Sequence, residues 1–481
     1  MNQRKFTILP AAAALLLLLG VTALAAGDIS TPDSSEAPDA SAVQEAAAPD
    51  GPAEEEPVLP PDGPERADDG TQEEEKPDVT VPEYIPDPVG SISFTNLNRR
   101  MHEGNLQILA IQENIDILEE IDYDDLEEDL REALNEIAKA QWGILNSSSP
   151  MSQLMHSLID TNRITEYEAY RAYNQMYSAY SQMDSAYDAL RKQFDAIKDG
   201  DMQSDNADTV RQLKNMQNQI VMAGEATYIA LAAMEIQEGG LERQLTALDR
   251  QLNELDLRYE LGHISSVTLR QAQAGRTALT SGLSTLRMNL DAYKGQLELL
   301  LGADITGKIS LSALPKVTRE ELDGMDLERD LETAKANSWD LYQAVENTKD
   351  AKEAYDDYGG DYFYDRKQDD RGYMQARHSW YSAKYTYDNA VQNFELGLRN
   401  LYLKIQDYRQ VLDAAKTALA VEQDNYTVAQ LKRSQGTLSQ NGFLEAEDKL
   451  KEAREKVAGA ENDLFSAYHT YRWAVDYGIL N

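Results

Sequence analysis

Cysteine is absent from the 481 residues. That excludes disulfides, zinc–thiolate sites, a cysteine nucleophile and a lipobox lipid anchor. Histidine is scarce: His102, His156, His263, His378 and His469 stand far apart, with no metal-binding spacing such as His-Glu-x-x-His. There is no Gly-rich phosphate loop and no Gly-x-Ser-x-Gly elbow. The sequence therefore predicts no enzyme, no cofactor and no metal site. Positive charge is in deficit, with 45 Lys and Arg against 84 Asp and Glu for a net charge of −39. Nucleic acid is excluded as a partner, because affinity for it comes largely from cations neutralising phosphates. A bare anionic membrane surface is disfavoured for the same reason. Phenylalanine is rare beside tyrosine, 7 against 26. Tyrosine suits half-buried, half-wet positions, which long thin helical assemblies have in number.

Long apolar runs are missing everywhere but the start. Arg4 and Lys5 precede a stretch that includes Leu15 to Leu19, followed by Ala23-Leu24-Ala25. A basic start, a short apolar run and a small-x-small site predict a secretory signal peptide over residues 1–25. Residues 26–91 hold 19 Asp or Glu against Arg66 and Lys76, and 12 of the 15 prolines. Such a segment buries too little apolar surface to offset its ordering entropy, which predicts a disordered, self-repelling tether. Its charge is −17 and the signal's is +2, so −39 + 17 − 2 leaves −24 on the remainder.

Proline is nearly missing from that remainder: only Pro150 and Pro315 follow the tether. Very long helices are thereby permitted. Leu245, Leu248, Leu252, Leu255 and Tyr259 step by 3 and 4, as do Leu279, Leu283, Leu286, Leu290, Tyr293, Leu297 and Leu300. The same spacing runs from Val391 through Phe394, Leu398, Leu401 and Ile405 to Leu419, and from Leu450 through Ala453, Val457 and Ala460 to Ala474. This is the seam of helices packed side by side as coiled coils. It predicts a helix from about 371 to 433 in particular. An Ala/Met line, Ala169, Ala172, Met176, Ala179, Met183 and Ala186, allows close helix approach. Beside it runs a stripe of Tyr167, Tyr170, Tyr173, Tyr177, Tyr180 and Tyr187, read as packing at a wet helix interface or, alternatively, as a ligand platform.

Two segments match without gaps when Gly436 is laid on Gly262 and Ser439 on Ser265. Tyr259-Glu260-Leu261-Gly262-His263-Ile264-Ser265 runs on to Leu290, and Gly436-Thr437-Leu438-Ser439 runs on to Leu464. Each sets a Gly-x-(Ile/Leu)-Ser turn between two long heptad helices. Glycine ends a helix in the left-handed conformation, and Ser265 and Ser439 can N-cap the next. The unit starts, Ile92 to Leu106 and Met325 to Ser338, echo one another at a wider spacing than the two turns, so the first unit is the longer. The insertion is expected near 122–166, with Asn146-Ser147-Ser148-Ser149-Pro150 interrupting the helices. The units are taken as 92–305 and 306–481.

The tyrosine, the Gly-x-(Ile/Leu)-Ser turn and the heptad helix ending in Leu300-Leu301-Gly302, given twice, resemble the TolC or outer-membrane efflux protein family over roughly 92–481. The resemblance implies an all-α body of long antiparallel hairpins in two tandem repeats. It also implies a homotrimer pooling its hairpins into a helical tunnel, and tips that dock onto a membrane-fusion (HlyD-like) adaptor serving an ABC-type pump. Carried over by position, the docking tips are Leu261, Gly262, Ile264 and Ser265, with Gly436, Leu438 and Ser439. The family places membrane strands between the long helices of each repeat. Here the connectors are Asp199 to Asp208, expected to be a polar loop, and Asp357 to Gly372, where Asp361, Asp365, Asp369 and Asp370 surround Tyr362, Phe363 and Tyr364. Neither has the 9–11 alternating apolar residues of a spanning strand. The expectation is a TolC-like body without its membrane barrel, exported to the cell envelope. The acidic connector and His263 are read as solvated. The competing reading is an exported coiled-coil scaffold or spacer that transports nothing.

Overall fold

The computed structural model describes residues 86–360 and 371–480. The expected signal peptide, the tether as far as residue 85 and most of the Asp357–Gly372 connector lie outside the described residues. Among the described residues strand is confined to β1 (Ser91–Ile92) and β2 (Ser310–Leu311), paired in parallel with Ser91 opposite Ser310 and Ile92 opposite Leu311. No helix there is long and apolar enough to cross a membrane.

Two hairpins dominate. The first is α5 (Asp201–Glu260) with α6 (Ser266–Leu300), and the second is α10 (Arg371–Ser434) with α11 (Gln440–Tyr477). At ~1.5 Å per residue, α5 and α10 are each about 90–95 Å long. The heptad lines are the buried ones. Leu283, Leu290 and Leu297 are buried on α6; Phe394, Leu398, Ile405 and Leu412 on α10 share a core with Ala460, Leu464, Ala467 and Tyr471 on α11, whose Leu450 and Ala453 are buried nearer the turn.

Short helices brace the hairpin bases: α1 (Phe94–Gly104) and α2 (Leu106–Glu119) in the first unit, α7 (Arg319–Asp323), α8 (Leu327–Asn337) and α9 (Trp339–Gly360) in the second. The echo between the unit starts has a structural meaning. α1 breaks into α2 at Asn105 and α8 into α9 at Ser338, both in extended conformation. Asn105 caps α2 and donates its side-chain amide to Leu300 O at 2.8 Å, while Asn337 donates to Val475 O at 3.0 Å. Each break receives the glycine that ends the following hairpin. Gly302 (φ +64°) lies against Gly104, and Gly478 (φ +66°) against Ser338, so closely that a Cβ on Gly478 would fall 2.3 Å from Ser338 Cα. Both positions need glycine for the approach and for the left-handed backbone.

Two expectations are corrected. Asn146–Pro150 does not interrupt a helix: α3 (Tyr123–Asp160) runs through it. Pro150 is exposed, so the carbonyl that loses its amide partner one turn earlier can turn to water. The chain reverses instead at Thr161–Thr165 and returns as α4 (Glu166–Lys198). α3 and α4 pair with each other as an arm of their own. Nor is Asp199–Asp208 a loop. Gly200, at φ +84°, makes the turn, and α5 starts at Asp201. The polar residues that suggested a loop are side-chain partners: Asn206 donates to Tyr123 Oη at 2.8 Å, and Asp208 accepts from Tyr342 Oη at 2.7 Å.

The bonds at the arm's base fix its direction. Ile108 O meets Gln217, Glu119 meets Lys214 at 2.9 Å, and Tyr123 meets Asn206. Rising numbers on α2–α3 thus meet falling numbers on α5, and α3 continues past the start of α5, away from the Gly262 turn.

Candidate docking tips

Three turns share one construction. In the first hairpin Gly262 has φ +74°, its amide donates to Tyr259 O at 2.9 Å, and the His263 amide donates to Arg258 O at 2.8 Å. The Ser265 hydroxyl then accepts from the Thr268 amide at 3.2 Å to start α6. In the second, Gly436 has φ +70° and donates to Arg433 O at 2.9 Å, Thr437 donates to Lys432 O at 2.9 Å, and Ser439 accepts from Gly442 N at 3.1 Å. These are left-handed helix ends followed by serine N-caps.

The third was not anticipated. Asn162 has φ +48° and donates to Ile159 O at 2.9 Å, Arg163 donates to Leu158 O at 2.9 Å, and Thr165 caps α4 by accepting from Glu168 N at 3.2 Å. Asn162-Arg163-Ile164-Thr165 is the same turn with Asn for Gly and Thr for Ser, so a search for the glycine passes over it. Asparagine is among the few other residues that enter this conformation readily. The Glu168 carboxylate accepts from the Thr165 amide at 2.8 Å, which together with the Thr165 hydroxyl lowers its pKa.

The structure brings the two glycine turns to one end of the body. α5 and α11 lie side by side there: Arg243 Nε donates to both Glu455 oxygens at 3.0 Å, Arg250 pairs with Asp448, and nearest the tips Asn441 reaches Glu254 at 3.5 Å. The named residues divide into two kinds. Ile264 and Leu438 are half-buried and hold the turns onto their own helices, as Ile164 does in the arm. Gly262 and Gly436 are open, with no atom within 4 Å of where a Cβ would stand. Leu261 is 61% exposed and has exposed apolar company: Leu257 and Val267 on the first hairpin, Val428 and Leu431 on the second. These four were not among the expected site residues. Their exposure follows from lying off the heptad seam, which was the available signal.

His263 is exposed at its tip. His469 is half-buried: its Nε2 lies 2.8 Å from Glu225, which also accepts from Trp473 Nε1 at 2.7 Å. This buried carboxylate joins α5 to α11 and is satisfied where it stands. Among the described residues no group of His, Asp and Glu is placed to hold a metal.

No known family's sequence profile matches the chain, and no curated protein matches it. Solved structures do. The outer membrane protein VceC of Vibrio cholerae is 14% identical with a TM-score of 0.39, over 56% of this chain and 74% of that one. The outer membrane channel CmeC of Campylobacter jejuni is 15% identical with a TM-score of 0.35, over 60% and 68%. The MtrE outer membrane channel of Neisseria gonorrhoeae is 15% identical with a TM-score of 0.31, over 58% and 71%. Two of the three are outer membrane channels. Likeness at this level is one of general helical architecture and says nothing of cargo or partners.

Proposed function

We propose that the chain is an exported, TolC-like conduit component of the cell envelope that docks by its two glycine tips onto a membrane-fusion adaptor serving an ABC-type pump. One observation carries this: two equivalent turns, Gly262 to Ser265 and Gly436 to Ser439, lie at one end of the body amid exposed Leu257, Leu261, Val267, Val428 and Leu431. Exposed apolar side chains around a repeated turn favour a partner surface that covers them. Three copies pooling their hairpins would make the tunnel, and an acidic body would favour neutral or cationic cargo by its field. The arm Tyr123–Lys198 occupies the other end, where the family carries its membrane strands.

The test is the double variant Gly262→Asp, Gly436→Asp. Each aspartate costs about 1–2 kcal/mol at a positive φ, a local lesion that the long seams absorb. Helicity and oligomer state should remain while co-purification with the adaptor is lost. Binding as tight as wild type would remove the tips from the docking surface and favour the scaffold reading.

A further inference from the structure

The two glycine turns are alike in what surrounds them. Residues 261–290 contain no Asp or Glu, the longest such run in the helical body, and residues 425–444 contain none either. Several helices of this chain open on acid: Asp124 and Asp125 in α3, Glu320 and Glu321 in α7, Glu328 and Asp330 in α8. That is where a helix dipole favours a carboxylate. α6 and α11, the two helices that leave the glycine turns, have no acidic residue in the first turn. The turn itself does not forbid one. The Asn162 turn has the same construction, yet Asp160 precedes it and Glu166 and Glu168 follow it.

What charge these runs hold is positive. Arg276 and Arg287 of α6 are engaged within the hairpin, with Asp249 and with Glu238 and Glu242 of α5. Nearer the turns stand Arg270, Lys432 and Arg433, all exposed and none in an ion pair with a carboxylate among the described residues. Arg270 bonds to the Ser266 hydroxyl of its own helix at 3.1 Å, and the Arg433 guanidinium lies over the Phe443 ring, 5.0 Å from its centroid. These cations sit on α6 and α10, which flank the inner pair α5 and α11. The carboxylates nearest this end are on the inner pair. On α5 they are Glu254, met by Arg258 and Asn441, and the exposed Asp256 and Glu260; on α11 the first is Glu445.

We infer that the surface covering the tips is an acidic protein surface, whose carboxylates pair with Arg270, Lys432 and Arg433 around the apolar contact of Leu257, Leu261, Val267, Val428 and Leu431. The inference rests on the tip-docking reading above and adds the chemistry of the partner. A chain of net charge −39 would draw a basic partner to its acidic flanks as readily as to its end. An acidic partner is turned away from those flanks and meets no like charge along the acid-free runs. Repulsion elsewhere and attraction here then both select end-on docking. At physiological salt the field of an exposed charge fades over about 8 Å, so the body's distant carboxylates do not cancel three cations at the tips. Anionic lipid is the poorer fit. A continuous plane of headgroups would also press on Asp256 and Glu260, whereas a protein can place its acids only where the cations stand.

The test measures binding of the membrane-fusion adaptor by the full chain and three variants. Arg270→Gln, Lys432→Gln and Arg433→Gln together remove the charges at exposed positions, so helix content should not change. Adaptor affinity should fall about tenfold, and the weakening of wild-type binding by added salt should flatten in this triple variant. Arg163→Gln, an exposed cation at the Asn162 turn, should alter neither. Zero-length carbodiimide coupling, which joins an amine to a carboxylate, should link Lys432 to the adaptor. Triple-variant binding as tight as wild type with the same salt dependence, or no coupling at Lys432, would overturn the inference. Tip docking would still stand if Gly262→Asp with Gly436→Asp abolishes binding. Binding that survives the glycine variant, or a wild-type chain that retains no adaptor, would overturn tip docking and this inference with it. Wild-type co-sedimentation with phosphatidylcholine–phosphatidylglycerol vesicles that the triple variant loses, while its adaptor binding stays unchanged, would also overturn it, because the cations would then belong to lipid.

Discussion

Glu298 should make the first hairpin base sensitive to acid. Its side chain is buried, yet its carboxylate accepts from the Gly307 amide at 2.6 Å, the Thr306 amide at 2.5 Å and hydroxyl at 2.7 Å, and the Lys308 and Ile309 amides at 3.1 Å. Burial alone would raise the pKa. Donation from Gly307, Thr306 and Lys308 outweighs it and holds the carboxyl at about 2, against 4.5 unperturbed. A folded-state pKa below the unfolded one stabilises at pH above the unfolded value. That stability is lost as pH falls from about 4.5 towards about 2, and at ~1.4 kcal/mol per unit it is on the order of 3 kcal/mol at neutral pH. Glu298→Gln keeps the shape, removes the charge and turns an amide donor onto amide donors. It should cost about 2–4 kcal/mol at pH 7. Urea unfolding followed by circular dichroism, at pH 7 and again near pH 2, measures the difference between variant and wild type. The difference should shrink towards zero at the lower pH. A difference that is unchanged by pH, or below about 0.5 kcal/mol at pH 7, would refute the account.

Two further perturbations probe the bases of the hairpins. Gly478→Ala should lower stability by about 2–4 kcal/mol, since the new Cβ meets Ser338 backbone at 2.3 Å and the residue sits at φ +66°; a shift of the urea midpoint measures it. Tyr228→Phe removes a hydroxyl held 2.6 Å from Ser312 O and 3.1 Å from Ile92 O, and should cost about 1–2 kcal/mol. Amide exchange at Ser310 and Ser312, which bond across to Gly90 and Ile92, should quicken with it.

What the sequence revealed was whatever repeats. The 3–4 stepping from Val391 to Leu419 placed a helix at 371–433, and the structure has α10 at Arg371–Ser434. The two glycine turns were legible because they occur twice in the same words. The third was not, since Asn162 and Thr165 do the same work in different ones. Pro150 misled because its cost depends on exposure, which a one-dimensional reading cannot see, and Asp201–Asp208 because each polar residue's partner lies far away in the chain. Glu298 left no trace, its partners being backbone amides that every sequence possesses.

The seam between α5 and α11 carries a consequence for how the two hairpins can part. Its arginine pairs run one way: Arg243 and Arg250 of α5 face Glu452, Glu455 and Asp448 of α11. Arg243 is largely shielded from solvent, whereas the contact nearest the tips is a neutral amide on Glu254 at 3.5 Å. Resistance to separation therefore rises from the tips inward. A split starts easily at the free end and stiffens as it reaches each arginine, and added salt loosens the outer rungs before the shielded one. The contact between the hairpins is thus graded along its length and weakest at the free end.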